Sequence, residues 1–343
     1  MKSKVTVQDI ADALNLSRNT VSKALNNHPK IPETTREKVI KKAIEMKYKH
    51  FAHMETAHFS PTSRTGNIAL LTRNDINAIS FYSLTINGIE ERLRAQGYNL
   101  ILALVTPIDI QNKTLPPSIN KKNIDGIICI EIFDKVYIET VLDTEIPTVF
   151  IDMIPNAVFP GRKYSMVLME NIFSTYTLTK MLISNGHKEI GFIGDINHCQ
   201  SFYERWLGFQ RALMESGIDN YADFSITLED TNPYLSNEWM EKQLKSLKKI
   251  PTAFVCANDD IAITAMRNLK NLGFQIPDEI EVTGFDDISN AEIIDPPLTT
   301  VHAFRHELGV RTVEFLFSRI DQPERPNETL YLETRVVKRY STR

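Results

Sequence analysis

The chain contains little of what marks secreted, membrane-spanning or metal-rich proteins. Its three cysteines, Cys129, Cys199 and Cys256, are far apart among 343 residues, so neither a disulfide framework nor a zinc spacing is predicted. No apolar run approaches the roughly 18–20 residues that a membrane helix requires. The N-terminal residues lack the apolar core of a secretory signal. We therefore expect a cytoplasmic protein without a membrane contact, a metal site or a cofactor.

The overall charge is slightly acidic, but it is divided unevenly along the chain. Residues 1–50 contain 11 Lys and Arg against 5 Asp and Glu, whereas the chain as a whole contains 39 against 43. The first segment therefore has a net charge of +6 and the remainder −10. A small basic module joined to a large acidic body predicts a nucleic-acid partner for the small module.

The basic segment has the apolar spacing of short helices. Thr6 followed by Asp9 predicts a capping box, and apolar residues at i, i+3, i+4 and i+7 continue the first helix. Ser17 begins a second helix, and a third follows Pro32. Two short helices with a three-residue connection predict a helix-turn-helix.

The second helix carries residue types that read DNA. Arg18, Asn19, Ser22 and Lys23 lie on its polar side, where Arg and Lys pair with guanine, Asn with adenine, and hydroxyl groups with phosphate. A three-helix bundle with a solvated polar face is the alternative explanation of the same pattern.

Residues 5–11 (VTVQDIA), 16–26 (LSRNTVSKALN) and 35–39 (TREKV) resemble the headpiece of the lac repressor (LacI/GalR) family of bacterial transcriptional regulators. The resemblance implies that Arg18 and Asn19 face bases and that Lys23 also reaches the major groove. The remaining residues that it implies contact DNA lie near phosphates. The DNA contacts that it implies are Thr6, Ser17, Arg18, Asn19, Thr20, Ser22, Lys23 and Asn26.

The segment after the headpiece departs from the family pattern. At the positions of residues 51–65, members of the family have a short helix whose Leu wedges into the minor groove. In this chain Phe51 stands where the family has an Asn, and Ala57 lies near the position of that Leu. A wedge formed by Phe51, Met54 or Phe59 and a plain linker are both compatible with this segment.

From residue 67 onward, apolar runs of strand length alternate with helical patterns. Continuous apolar strands indicate parallel sheets that are buried on both faces, and the fold class predicted is α/β with two successive doubly wound units. Here too the chain resembles the family, whose core is similar to periplasmic sugar-binding proteins, with two lobes and three crossings. We expect a headpiece at 1–50, an N-terminal lobe at 66–162 and 292–320, and a C-terminal lobe at 163–291 and 321–343.

Ligands of open α/β sheets bind beyond the carboxyl ends of the strands, and polar residues cluster there in this sequence. Carboxylates, amides and an arginine beside aromatic rings suit sugar hydroxyl groups. The family resemblance singles out Asp152, Arg205, Asn258 and Asp286. The full set of expected effector contacts is Asp75, Phe81, Glu131, Asp152, Glu170, Asn171, Arg205, Trp206, Asn258 and Asp286.

Together with these patterns, the family resemblance implies a homodimeric repressor of carbohydrate genes that binds a pseudo-palindromic operator and responds to a sugar. The alternatives are a cytosolic sugar-binding protein and an enzyme acting on a sugar. No nucleophile triad, phosphate loop or dinucleotide fingerprint supports the enzyme, and the headpiece argues against the simple binding protein.

Overall fold

A computed structural model describes residues 5–25, 28, 31–46, 48, 64–73, 82–229 and 233–343. The chain divides into two compact units, residues 1–65 with 320–323 and residues 66–319 with 324–343. Among the described residues, no helix combines the length and apolar character needed to cross a membrane.

The first unit is the headpiece, and its helices are α1 (Val7–Leu14), α2 (Arg18–Leu25) and α3 (Glu33–Glu45). The capping box at Thr6 is confirmed, and α1 ends at Asn15, whose φ of 53° turns the chain toward α2. Apolar residues spaced for one helical face meet in a small core. Its fully buried members are Ile10, Ala11, Val21, Ala24, Val39 and Ala43.

The second unit is the core, an α/β structure built on parallel strands. Its strands are β1 (Asn67–Arg73), β2 (Asn99–Val105), β3 (Gly126–Ile130), β4 (Thr148–Ile151), β5 (Ser165–Met169), β6 (Ile190–Ile193), β7 (Ala253–Cys256), β8 (Glu281–Thr283), β9 (Thr300–His302), β10 (Glu328–Leu332) and β11 (Arg335–Val337). Its helices are α4 (Ser83–Ala95), α5 (Pro107–Asn112), α6 (Lys135–Leu142), α7 (Ile172–Ser184), α8 (Gln200–Met214), α9 (Asn237–Ser246), α10 (Asp259–Asn271), α11 (Ser289–Ile293) and α12 (Arg305–Asp321).

Each lobe of the core has its own sheet. In the first lobe six parallel strands follow the order β10-β5-β4-β3-β1-β2. In the second lobe β6-β7-β8 are parallel, and isolated bridges connect β8 to the antiparallel pair β9-β11. Strands such as β3 and β4 are buried along their whole length, as their unbroken apolar sequence predicts. The predicted two-lobed, periplasmic-binding-protein-like architecture is therefore confirmed.

The expected lobe boundaries near Arg162, Ala291 and Asp321 do not match the strand pairing. β5 pairs with β4, and β10 pairs with β5, so both belong to the first lobe. β9 pairs with β11 in the second lobe. The chain thus crosses between lobes near residues 170–171, 303–304 and 333–334. Strand pairing is a long-range interaction, and an apolar run next to a crossing fits either sheet on local sequence alone.

Glycines allow helices of the core to approach closely. A Cβ on Gly208 of α8 would lie 2.2 Å from the carbonyl oxygen of Ile172 in α7. On α4 and α12 the contacts are reciprocal, because a Cβ on Gly88 would meet the His306 oxygen at 2.1 Å and one on Gly309 the Thr85 oxygen at 2.1 Å. These neighbours are backbone atoms, so a rotamer change cannot relieve the overlap.

We expect Gly208→Ala to destabilise the core. Alanine gains about 1 kcal/mol in helix propensity, but an overlap as close as 2.2 Å with fixed backbone costs about 3 kcal/mol and forces α7 and α8 apart, so a net loss of about 2 kcal/mol is expected. Met214→Ala, at an exposed position near the end of α8, is the control and should change the free energy of unfolding by less than about 0.5 kcal/mol. Urea denaturation of both variants tests this, and an unchanged midpoint for Gly208→Ala would contradict the packing.

Candidate functional site

The exposed face of α2 is the candidate DNA-contacting surface. Its helix begins at a cap in which the Ser17 hydroxyl oxygen accepts the Thr20 N–H at 3.0 Å. Val21 and Ala24 are buried in the headpiece, and the polar residues Asn19 and Lys23 lie on the opposite, exposed side of the helix, with Arg18 exposed at its flank. The expected contacts that share this exposure are Ser17, Arg18, Asn19 and Lys23.

Other expected DNA contacts differ in their surroundings. Thr20 and Ser22 are half-buried, and the Thr6 hydroxyl donates to the Asp9 carboxylate at 2.7 Å in the α1 cap. Four more positions cannot be placed, because Asn26 and the three hinge residues lie outside the described residues. The hinge residues concerned are Phe51, Met54 and Ala57.

The candidate effector site is a cavity of about 230 Å³ at the carboxyl ends of strands from both sheets. Glu131 follows β3, Asp152 follows β4, Asn258 follows β7 and Asp286 follows β8. This placement fits the rule that open α/β sheets bind ligands beyond their strand ends. The cavity is lined by Tyr82, Thr85, Glu131, Phe133, Ile151, Asp152, Val167, Leu168, Met169, His198, Cys199, Ser201, Phe202, Arg205, Asn258, Asp260, Asp286, Ala303, Arg305 and Leu308.

Three of the lining carboxylates are attached to left-handed backbone. The φ angles are 59° at Glu131, 65° at Asp152 and 112° at Asp286. Residues other than glycine rarely adopt such φ angles, and residues with strained backbone concentrate at functional sites. Sharp turns directly after the strands therefore carry these carboxylates.

Arg205 joins several segments beneath the cavity. From α8 its guanidinium donates to the Ala257 carbonyl at 2.6 Å, to the Asn171 side-chain oxygen at 3.0 Å and to the Asp286 carboxylate at 3.3 Å. It also lies over the Phe285 ring, 3.6 Å from the ring centroid. Only 6% of Arg205 is exposed, so these contacts replace nearly all of its hydration.

Two further predicted residues line the cavity and also serve the local fold. The Asp152 carboxylate accepts the N–H groups of Met153 at 2.7 Å and Ser201 at 3.3 Å, the latter in the first turn of α8. Asn258 caps α10, where its side-chain oxygen accepts the Ile261 N–H at 3.0 Å.

Three predicted effector residues do not line the cavity. Glu170 accepts the N–H groups of the first turn of α7 and serves as its cap. Asn171 is buried and orients Arg205, so it acts behind the cavity surface. Trp206 packs in the second-lobe core against Phe192, because it is rotated one residue around α8 from Arg205. Two other predicted contacts, Asp75 and Phe81, lie outside the described residues.

The cavity also contains residues absent from the predicted set. Phe202 and His198 come from α8 and the loop before it, and Phe202 is three residues from Arg205, a spacing that places both on one helical face. From the sequence, this spacing could have indicated that Phe202 lies beside Arg205 in the cavity. Asp260 and Arg305 lie in first turns of helices, where charged residues are common, so no local pattern distinguishes them.

The cavity is electrostatically acidic. Its lining has four carboxylates and two guanidinium groups. Burial raises the pKa of Glu131 against the opposing effect of His198. Burial also raises the pKa of Asp286 to about 6, although Arg205 and Arg305 oppose the rise. Such a site resists additional negative charge.

The raised pKa of Asp286 should make stability depend on pH. Because the folded state holds this proton more tightly than the unfolded chain, Asp286 stabilises the fold at low pH, and this contribution is lost as pH rises through about 6. A rise from the usual 3.8 to about 6 corresponds to about 3 kcal/mol. Wild type should therefore lose stability relative to Asp286→Asn between pH 4 and about 7.

Urea unfolding of the two proteins across this pH range provides the measurement. Parallel stability curves would show that Asp286 titrates normally. Above about pH 7 the difference between the two proteins should no longer change.

Comparison with known proteins matches both units. A sequence profile described as "Bacterial regulatory proteins, lacI family" matches residues 6–50, and one described as "Periplasmic binding protein-like domain" matches residues 179–342. The HTH-type transcriptional repressor PurR of Vibrio campbellii (strain ATCC BAA-1116) is 29% identical over 338 residues, which are 97% of each chain.

Solved structures agree with the fold. The transcriptional regulator CelR in complex with cellobiose is 24% identical, with a TM-score of 0.71, over 98% of this chain and 100% of that one. A LacI family transcriptional regulator from Enterococcus faecium with bound ribose is 25% identical, with a TM-score of 0.65, over 80% of this chain and 98% of that one.

Proposed function

We propose that the chain is a member of the LacI family of bacterial regulatory proteins and acts as a dimeric repressor controlled by a small neutral molecule in the core cavity. One observation carries the proposal: a helix-turn-helix with exposed Arg18, Asn19 and Lys23 is joined in one chain to a core with a polar, partly buried cavity. The relatives it matches are transcriptional regulators, so enzymatic activity is not part of the proposal. It would act in the cytoplasm, where bacterial DNA lies.

In this proposal α2 reads the major groove. Arg18 and Asn19 in its first turn offer the donor patterns that recognise guanine and adenine, and the cap at Ser17 lies near the phosphates. A two-fold dimer presents two copies of this helix, and the operator is accordingly pseudo-palindromic. Effector binding alters operator affinity, and operator binding alters effector affinity by the same factor.

We expect Arg18→Ala to weaken binding to the preferred operator by about 1–3 kcal/mol and to relax base preference at one position of each half-site. The operator is obtained by in vitro selection from a random duplex library, and affinities for it and for single-base variants are measured by fluorescence anisotropy. Lys41→Ala, exposed on α3, is the control and should not change base preference. An equal loss on every sequence with Arg18→Ala would refute base reading by Arg18.

The effector class follows from the chemistry of the cavity. Carboxylates accept hydrogen bonds from hydroxyl or N–H groups, Arg205 and Asn258 fix orientation, and the rings of Phe133 and Phe202 pack against apolar faces. A phosphate group would add about 1.5–2 negative charges to a site whose buried carboxyls already favour protonation. A neutral, hydroxyl-rich molecule of about monosaccharide size is the ligand that we propose, in a transcriptional circuit for carbohydrate use.

The names of the similar proteins motivate the choice of compounds. A similar regulator was solved with ribose, and the matched repressors are named PurR, so a purine base accompanies the sugars in the panel. The neutral compounds are D-ribose, D-glucose, cellobiose and adenine. The phosphorylated compounds are ribose 5-phosphate, glucose 6-phosphate and adenosine monophosphate.

Calorimetry with this panel should show a neutral compound binding at least about tenfold tighter than its phosphorylated counterpart. The bound compound should change operator affinity. Asp286→Ala should abolish that response while operator binding by the free protein persists. Asp219→Asn, at an exposed second-lobe carboxylate, should behave as wild type. Preference for a phosphorylated compound would reject the neutral class, and a normal response in Asp286→Ala would reject the cavity as the effector site.

A further inference from the structure

Two consecutive aspartates after β8 adopt strained backbone angles. Asp286 has a φ of 112° and Asp287 a φ of 54°, the former outside the usual left-handed well. Such angles persist only where surrounding contacts determine them. The turn therefore depends on contacts that hold its backbone in place, and these contacts are called its anchor below.

The anchor is a cluster on Asp287. Its carboxylate accepts from the Arg339 guanidinium at 2.6 Å and from Nδ1 of His302 at 2.7 Å. About 15% of the Asp287 side chain and 16% of the Arg339 side chain are exposed. Although burial raises it, the hydrogen bonds from Arg339 and His302 hold the pKa of Asp287 below its usual value.

The partners of Asp287 are themselves fixed to the second-lobe sheet. Arg339 donates to the Leu298 carbonyl at 3.0 Å and, through its backbone N–H, to the Thr299 hydroxyl at 2.9 Å. His302 ends β9, and the Asp286 N–H donates to the Val301 carbonyl at 2.9 Å. The turn is thus held on one side by β9 and on the other by the segment after β11.

The neighbouring side chains divide between two directions. Asp286 lines the cavity and accepts from Arg205, while neither Asp287 nor its partners Arg339 and His302 line it. Asp287 therefore does not contact the cavity, and it influences the geometry of the cavity through the backbone that it shares with Asp286.

We propose that Asp287 is a positioning residue for effector binding: clamped by Arg339 and His302, it fixes the left-handed turn that directs the Asp286 carboxylate toward Arg205 and the cavity. The expected effect of Asp287 on effector binding rests on the proposed function, whereas its effect on the geometry of the turn can be tested without any effector.

The first test measures the titration of Asp286 in the full-length, ligand-free protein. Carboxyl carbon resonances are followed by NMR with ¹³C-labelled aspartate, and the Asp286 signal is identified by its loss in Asp286→Asn. Asp287→Ala should change the proton affinity of Asp286 at least about tenfold, because burial and Arg205 no longer act on it in the same geometry.

Two further variants separate positioning from folding. Asp287→Gly adopts the positive φ easily but has no anchor, so it should fold and still show the altered titration. Asp287→Asn keeps an acceptor and tolerates left-handed backbone, so it should remain closer to wild type. Glu189→Gln, which breaks the 2.7 Å ion pair with Lys249 at the amino end of β6, is the matched control and should leave the titration unchanged.

The second test is a double-mutant cycle by calorimetry with D-ribose, D-glucose, cellobiose and adenine as probes. Asp287→Ala should weaken whichever probe binds wild type, but should have little further effect in an Asp286→Asn background. If none of the probes binds, the proposed effector class is wrong, but the titration still tests whether Asp287 positions the Asp286 carboxylate. Wild-type titration of Asp286 in folded Asp287→Ala and Asp287→Gly would overturn the proposal.

Discussion

The core cavity depends on the way one buried guanidinium is held. Arg205 reaches from α8 to the loops after β5, β7 and β8, and it covers the Phe285 ring. A buried positive charge is tolerable only where acceptors satisfy its donors, and here the acceptors come from three separate segments. Arg205 therefore sets the relative placement of Asn171, Ala257 and Asp286, and with them the floor of the cavity.

Strain and charge reinforce this arrangement. The carboxylates around Arg205 sit on turns with positive φ, and the pKa of Asp286 is raised by burial. Both features are local costs, which the contacts of the surrounding fold offset. Such a cavity differs physically from the candidate DNA-contacting surface of the headpiece, which is exposed and cationic and rests on a small core.

Local sequence patterns were sufficient to predict the structure wherever a residue acts through its immediate neighbours in sequence. Thr6 and Asp9 formed the predicted capping box, and the strand-length apolar runs became buried parallel strands. Among the expected effector contacts, Glu131, Asp152, Asn258 and Asp286 line the cavity because each lies at or near a strand end, a position that the sequence marks. Arg205 reaches the cavity from within α8 instead. Glu170 shares that position but its carboxylate is used in capping α7, a choice that depends on helix geometry.

The sequence by itself determined the helix-turn-helix, the acidic α/β body and the edge of the sheets where polar residues gather, because these follow from periodicity, capping and charge along the chain. Only the tertiary structure decided which sheet receives β5, β9 and β10, which residues beyond the strand ends enter the cavity, and that Asp287 is clamped by Arg339. Arg339 is 52 residues from Asp287, and contacts of that separation arise from strand pairing, which local sequence does not encode.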